Sequence, residues 1–411
     1  MQQLRECEEK PPSFDMKTNN TAHPPQLDIV AMAPNTWDGP WMNRQQLLSR
    51  LGSQHNIVYT NGLWSVWDRD QAAWKAASVN GEFCAQDQVL VDHPPKFLLR
   101  WPRFSTLDQL AIRMAVRRWT RAWGVAKNAP RVVYLFHPQF YPYVKKIQAD
   151  FVVYHAYDML SLAPGWNHEL EEQQRALLAM ADLVLASSDV IAEELAAISG
   201  KPVEVLPNGA DFTAFCGAAT GNCPEPDDLA NIPHPRIGYV GNLNLKVDFP
   251  LIASLANSQQ NWNFVFVGGK GKLDARTQKG FDECARLKNV YFLGAKDYRE
   301  IPGYAANMDV NLMCYRVEGD VWSRGIYPLK LHEYLATGKP VVSSSIPSVI
   351  PFESIVAIAR TADQWPELIE AALQGNGAGN TEQRRSVAKE NSWDARARQL
   401  NVCLMNMLRG Q

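Results

Sequence analysis

The stretch from Gly325 to Ser344 leaves the chain little conformational choice. Pro328 suits the first turn of a helix, where its missing N–H needs no partner and its φ is already helical. Good helix formers follow, and Gly338 stands where a helix closes on a left-handed residue. Pro340, Val341 and Val342 then open a β-branched run that reads as a buried strand. A helix with both ends marked, feeding a buried strand, is a building unit of layered α/β folds.

On that helix Lys330 and Glu333 share a face, with Tyr334 and Thr337 beside them, while Leu331 and Leu335 point toward a core. The polar face begins near a helix N-terminus, where N–H groups and the dipole favour an anion. A lysine there suits a phosphate, and a carboxylate one turn on suits sugar hydroxyls. The plain alternative is a solvated ion pair.

The chain repeats this logic twice. Leu27–Ala33 is a first strand, followed by a loop through Asp38 and a helix from about Trp41 to Leu51. Asn56–Tyr59, Val89–Val91, Val132–Phe136, Phe151–Tyr154 and Leu183–Ala186 continue the series. Short apolar runs between helical stretches predict a parallel sheet with crossover helices, whose ligands sit beyond the carboxyl ends of the strands. The loops holding Asp38, His137 and His155–Asp158 are therefore the places to look. Pro207-Asn208-Gly209-Ala210-Asp211 is a turn that ends this series, and residues 213–233 read as a linker. A second series starts at Arg236–Asn242, with further strands at Phe264–Val267, Val290–Leu293 and Val310–Leu312. Gly241 at the end of its first strand lets backbone N–H groups approach a phosphate closely. Lys246 adds charge there or is simply solvated. Tyr315 stands at a strand end, placed to stack a base or to fill the core. From Asn391 a final helix carries Leu400, Val402, Leu404 and Leu408.

The motif P-L-K-L-x-E-Y-L-A-T-G-K-P-V-V resembles the donor-site signature of GT-B glycosyltransferases, closest to the group 1, family-4-like bacterial enzymes of the exopolysaccharide kind, xanthan-type and teichuronic-type. The resemblance extends loosely from about Leu27 to Leu408. It implies two Rossmann-like domains with parallel sheets facing a cleft, and a C-terminal helix crossing back to the first domain. The division it implies is an extension at 1–26, an acceptor domain at 27–212, a linker at 213–233, a donor domain at 234–388 and the crossing helix at 389–411. It implies that Lys330 contacts the donor diphosphate and Glu333 the ribose or sugar, with Gly241, Asn242, Lys246 and Tyr315 completing the donor site. Asp158 looks like the acid that follows this strand in related enzymes and is the favoured base for the acceptor hydroxyl. His155 is its substitute, with Asp38 and His137 behind. The family carries two glutamates eight positions apart; the second matches Glu333, but the first position is Gly325, which leaves retention or inversion open.

The expected function is transfer of a sugar from a nucleotide-sugar, a UDP-sugar by preference, to a glycan or polyprenyl-linked acceptor in bacterial surface polysaccharide synthesis. No cofactor and no metal are expected, because a lysine and a helix end can hold the leaving diphosphate. Two other readings stay open: a nucleotide-sugar epimerase of the same fold, and a catalytically silent partner in a synthase complex. A dinucleotide dehydrogenase is disfavoured, because no G-x-G-x-x-G precedes a suitable acid.

At 411 residues the chain has room for two domains, and its net charge of −2 argues against a general nucleic-acid binder. Its seven cysteines are scattered without zinc spacing, as in a reduced cytosolic protein. No apolar run reaches the roughly 20 residues of a spanning helix. Lys96 to Trp123 is different: arginines 100, 103, 113, 117, 118 and 121 are interleaved with Phe97, Trp101, Phe104 and Trp119. This is the composition of a helix lying on anionic lipid, with Arg113, Arg117, Arg118, Trp119 and Arg121 facing the membrane. The alternative is an amphipathic helix packed on the sheet with its arginines in water. The protein is expected in the cytoplasm, peripheral at the inner leaflet of the plasma membrane.

Overall fold

A computed structural model describes residues 25–410 apart from 40, 123–128, 164, 223 and 318–321. The expected extension at 1–26 therefore falls almost wholly outside the described residues, as does Trp123. In the first half lie β1 (Asp28–Met32), α1 (Asn43–Leu51), β2 (Asn56–Thr60), β3 (Glu82–Gln86), β4 (Val89–His93), α2 (Ser105–Ala122), β5 (Arg131–Leu135), β6 (Phe151–Ala156), β7 (Leu183–Ala186), α3 (Asp189–Ser199) and β8 (Glu204–Val205). After α4 (Phe212–Gly217) the second half contributes β9 (Arg236–Val240), β10 (Asn263–Val267), β11 (Val290–Phe292), β12 (Val310–Met313), α5 (Lys330–Thr337), β13 (Val341–Ser344), β14 (Ala357–Ala359) and α6 (Trp393–Arg409).

These strands make two sheets. The first runs β3-β4-β2-β1-β5-β6-β7-β8 and the second β11-β10-β9-β12-β13-β14. The second sheet is parallel throughout. In the first, β3 is antiparallel to β4. Their turn uses Asp87 and Gln88, both at positive φ. β1 and β9 are buried along their whole length, as parallel strands covered on both faces must be. Strand order reverses between β1 and β5, and again between β9 and β12. Ligand crevices in such sheets open at these reversals.

Two chain crossings join the domains side by side. The Ala210 N–H donates to the Asn391 carbonyl at 3.2 Å and the Trp393 N–H to the Ala210 carbonyl at 2.9 Å. Beyond that point α6 returns to the first domain, where Trp393, Leu400 and Leu404 are buried with Leu47, Leu48 and Leu51 of α1. The stretch read as a linker is largely helical, and Phe215 and Leu229 are wholly buried in the second core. Asn208 of the turn binds the Tyr327 carbonyl at 2.7 Å, and Asp211 caps α4 through the Ala214 N–H.

Candidate active site

The helix α5 begins just after Pro328, and Gly338 closes it at φ 79°. It is fixed to the second sheet by Tyr334, whose hydroxyl accepts from the Val240 N–H at 2.8 Å and donates to the Val240 carbonyl at 3.1 Å. That clamp carries Lys330 over the end of β9. A Cβ placed on Gly241 would lie 2.3 Å from the Lys330 ammonium. The ammonium also sits 4.7 Å above the Tyr239 ring. Among the described residues no carboxylate comes within ion-pair distance of it. Gly241 has φ 138°, which favours glycine, and its carbonyl would meet any Cβ on Gly268 at 2.0 Å. Gly241, Gly268 and Gly294 thus follow β9, β10 and β11 with backbone exposed to close approach.

One turn along, Glu333 is partly buried. Burial pushes its carboxyl up to about 7, against the pull of Lys330 and with the help of Asp211. Asn242 is exposed and its side chain lies against Gly271. Lys246 reaches across the cleft, its ammonium 3.9 Å from Asp158. Tyr315, read as a base platform or as core, is 6% exposed and packed edge-on to Tyr239 in the second core, and it also lines a cavity with Arg316 and Ser344.

In the first domain Asp158 sits just past β6 at the mouth of the cleft, its side chain 44% exposed. His155, two turns of the pleat earlier, is 1% exposed and its Nδ1 lies 2.8 Å from the Tyr134 hydroxyl. Burial, with the nearby Arg44 charge, pulls its pKa down to about 3. A ring held neutral by burial and a nearby cation is a weak base, which counts against the expectation of His155 as the substitute base. His137 is half-buried and held at about 4 by the same two causes.

Gly325, where the family's first glutamate would stand, is where the second domain closes on the first. Its carbonyl accepts from Ser188 Oγ at 2.8 Å, and a Cβ there would lie 2.3 Å from Met159 Cγ. A cavity of about 1120 Å³ lies elsewhere, between α1, the Asp87 turn, Tyr298 and the start of α6.

On α2 the two faces divide differently from the sequence reading. Trp119 is wholly buried and its indole N–H donates to Asp92 at 2.6 Å, so it does not face a membrane. Arg118 turns inward to the same carboxylate at 2.9 Å. Arg113, Arg117 and Arg121 are exposed. Beside them Leu107, Leu110 and Met114 form a second, uncovered apolar stripe about half exposed, with Phe97 and Phe104 nearby.

Sequence reasoning missed Arg44 and Tyr298. Tyr298 joins the domains, accepting from Gln46 at 2.8 Å and stacking on Trp41. Among the described residues no cluster of three His, Cys, Asp or Glu side chains has metal-binding geometry, and no helix is long and apolar enough to cross a membrane.

Residues 234–374 match the family described as Glycosyl transferases group 1. A Bacillus subtilis protein named as a teichuronic acid biosynthesis glycosyltransferase is 28% identical over 269 residues, 61% of this chain and 66% of its own length, so the chain spans just under two thirds of that relative. Among solved structures, Anabaena HepE in complex with UDP and glucose aligns over 92% of this chain and 99% of its own, at TM-score 0.63 and 15% identity. A UDP-forming trehalose-phosphate synthase from Burkholderia vietnamiensis aligns over 94% and 98%, at TM-score 0.67 and 11% identity.

Proposed function

We propose that this chain, which has the GT-B fold and whose residues 234–374 match the group 1 glycosyl transferases, transfers a sugar from a UDP-sugar to a glycan or lipid-linked acceptor. The observation that carries the reading is Lys330. Its ammonium stands over Gly241 at the strand reversal of the second sheet without a carboxylate partner, beside an aromatic face and a helix end. A diphosphate at that place meets a cation, exposed backbone and the positive end of α5 together.

Glycosyl transfer breaks the bond between the anomeric carbon and the diphosphate oxygen. Charge grows on that oxygen, and fixed cations aimed at it lower the barrier. Lys330 and Lys246 take that role, and the reading needs no metal. Glu333, as carboxylate, accepts hydrogen bonds from ribose hydroxyls. Asp158 faces the cleft from the acceptor side and takes the proton of the attacking hydroxyl. Retention or inversion stays outside this assignment, because position 325 holds a domain contact and no carboxylate.

The uncovered stripe of α2 supports a second element of the reading. Leu107, Leu110 and Met114 beside Arg113, Arg117 and Arg121 fit a surface resting on anionic lipid. A lipid-linked acceptor and the role named for the Bacillus relative both suit surface-polysaccharide synthesis at the inner leaflet.

The test is thermal stabilisation by UDP- and GDP-sugars, with Lys330→Ala as control. Ligand at 100 times its dissociation constant adds about 2.7 kcal/mol. Stabilisation by the UDP series, lost in the variant, supports the assignment. No response to any nucleotide points to the silent-partner reading.

A further inference from the structure

The first domain has its own strand reversal, between β1 and β5, and nothing in the donor site uses it. Arg44, the second residue of α1, lies beside it and is 1% exposed. Among the described residues its Nε and Nη1 have no hydrogen-bond partner, and neither has Nε2 of His155. Its Nη2 donates to the Met42 sulfur at 3.3 Å, and its guanidinium lies 4.4 Å from the centre of the Tyr157 ring. Thioether and ring are weak partners for a buried cation, which is costly to bury unless an anion answers it.

The neighbours are donors too. The Tyr134 hydroxyl and His155 Nδ1 are 2.8 Å apart; in the tautomer where the hydroxyl donates, the neutral ring carries its proton on the unpartnered Nε2. The N-terminus of α1 adds backbone N–H groups, and Met42 at its cap brings no oxygen to satisfy them. His137 and His155 both lose basicity from burial and from the Arg44 charge, so both belong to its surroundings. Tyr157, half-buried, covers the group from the cleft side and is followed directly by Asp158.

We infer that this crevice receives an oxyanion carried by the acceptor, a phosphate or a carboxylate, with Arg44 and His155 Nε2 as its donors and Tyr157 as its outer wall. The inference rests on the glycosyltransferase reading, which makes the first domain the acceptor half. The donor diphosphate has its own cations, Lys330 and Lys246, on the other side of the cleft. Asp158, 3.9 Å from Lys246, stands at that boundary. An acceptor anchored by its anion through Arg44 presents its hydroxyl beside Asp158, so the crevice selects acidic or phosphorylated acceptors over neutral sugars.

The experiment uses the full chain, with and without UDP, and reads Tm during titration with inorganic phosphate, with glucuronate and with potassium chloride at matched ionic strength. The expected result is a rise in Tm that persists when UDP is saturating and that chloride does not reproduce. A response to phosphate names a phosphorylated acceptor, and a response to glucuronate names an acidic sugar. Arg44→Met abolishes the response while its ligand-free Tm stays at or above that of the unmodified chain, because an unanswered charge is replaced by an apolar chain of similar length. Arg44→Lys keeps part of the response. A ligand-free Tm that falls in Arg44→Met overturns the inference, since the guanidinium would then hold the fold. An undiminished response in that variant, or a loss of UDP affinity in it, also overturns it. An unmodified chain that answers phosphate but binds no UDP-sugar keeps this site and removes the donor reading alone.

Discussion

The Asp158 carboxylate of the first domain and the Lys246 ammonium of the second stand 3.9 Å apart across the cleft. Both side chains are partly exposed, so the pair adds on the order of 0–1 kcal/mol to stability. Its meaning lies in placement. On the proposed reading, a diphosphate arriving at Lys246 would compete with Asp158 and release that carboxylate toward the acceptor.

Asp158→Asn is therefore expected to lower kcat by about 10²–10⁴-fold, the usual range for a lost general base, while UDP-sugar affinity holds or rises. Initial rates of UDP release with acceptor, beside direct binding of the donor, separate the two effects. Unchanged turnover would remove Asp158 from the role.

Gly241→Ala should damage the donor site and the fold together. Its φ of 138° disfavours a side chain, and the added Cβ falls 2.3 Å from the Lys330 ammonium. Strain of about 1–3 kcal/mol is expected for such a conformation, with UDP affinity reduced as Lys330 moves. A variant with normal Tm and normal UDP affinity would contradict the placement of Lys330.

Glu333 gives the site a pH signature. Its carboxyl is raised from 4.5 to about 7, chiefly by burial. A carboxyl raised in the folded state favours folding when protonated, so its contribution is full below pH 4.5 and is lost as pH climbs through about 7. The Tm of the unmodified chain should fall across that window relative to Glu333→Gln. UDP binding should run the other way, tightening as pH rises to about 7 and releasing a proton below that value, which calorimetry in two buffers of different ionisation heat detects. Parallel Tm curves for the two proteins would refute the assignment.

On α2, Leu110→Asp and the pair Arg113→Glu, Arg117→Glu should each weaken co-sedimentation with anionic vesicles, at about 1 kcal/mol for each arginine near the surface. Neither touches the donor site, so turnover on a soluble acceptor is expected to persist. Equal sedimentation of all three proteins would leave the stripe without a lipid role.

How far the sequence spoke depended on whether local chemistry or tertiary packing decided the outcome. Pro328 and Gly338 bound α5 through their own backbone preferences, and the strands of the second sheet are readable because burial on both faces leaves mostly apolar residues. β3 escaped notice because Glu82–Gln86 is a half-exposed hairpin arm with mixed side chains. Trp119 was misplaced, and Tyr315 left undecided, for a different reason. α2 carries two apolar stripes, and no wheel diagram says which one docks on the sheet. An aromatic at a strand end likewise shows no preference for core or cleft until its neighbours are known. Arg44 was invisible because an arginine on a short polar helix reads as solvated, and only tertiary packing, with Tyr157 over its guanidinium, buries it.

The return of α6 to the first domain sets an order on how the molecule is made. Leu400 and Leu404 complete a core whose other members, Leu47 and Leu48, emerge from the ribosome some 350 residues sooner. The domain synthesised first therefore waits with an open flank while the second, which holds its own core from Phe215 to Ala388, closes on itself. During that wait the uncovered leucines are the part of the nascent chain most in need of a chaperone, and a stop codon before residue 393 would leave them exposed for good.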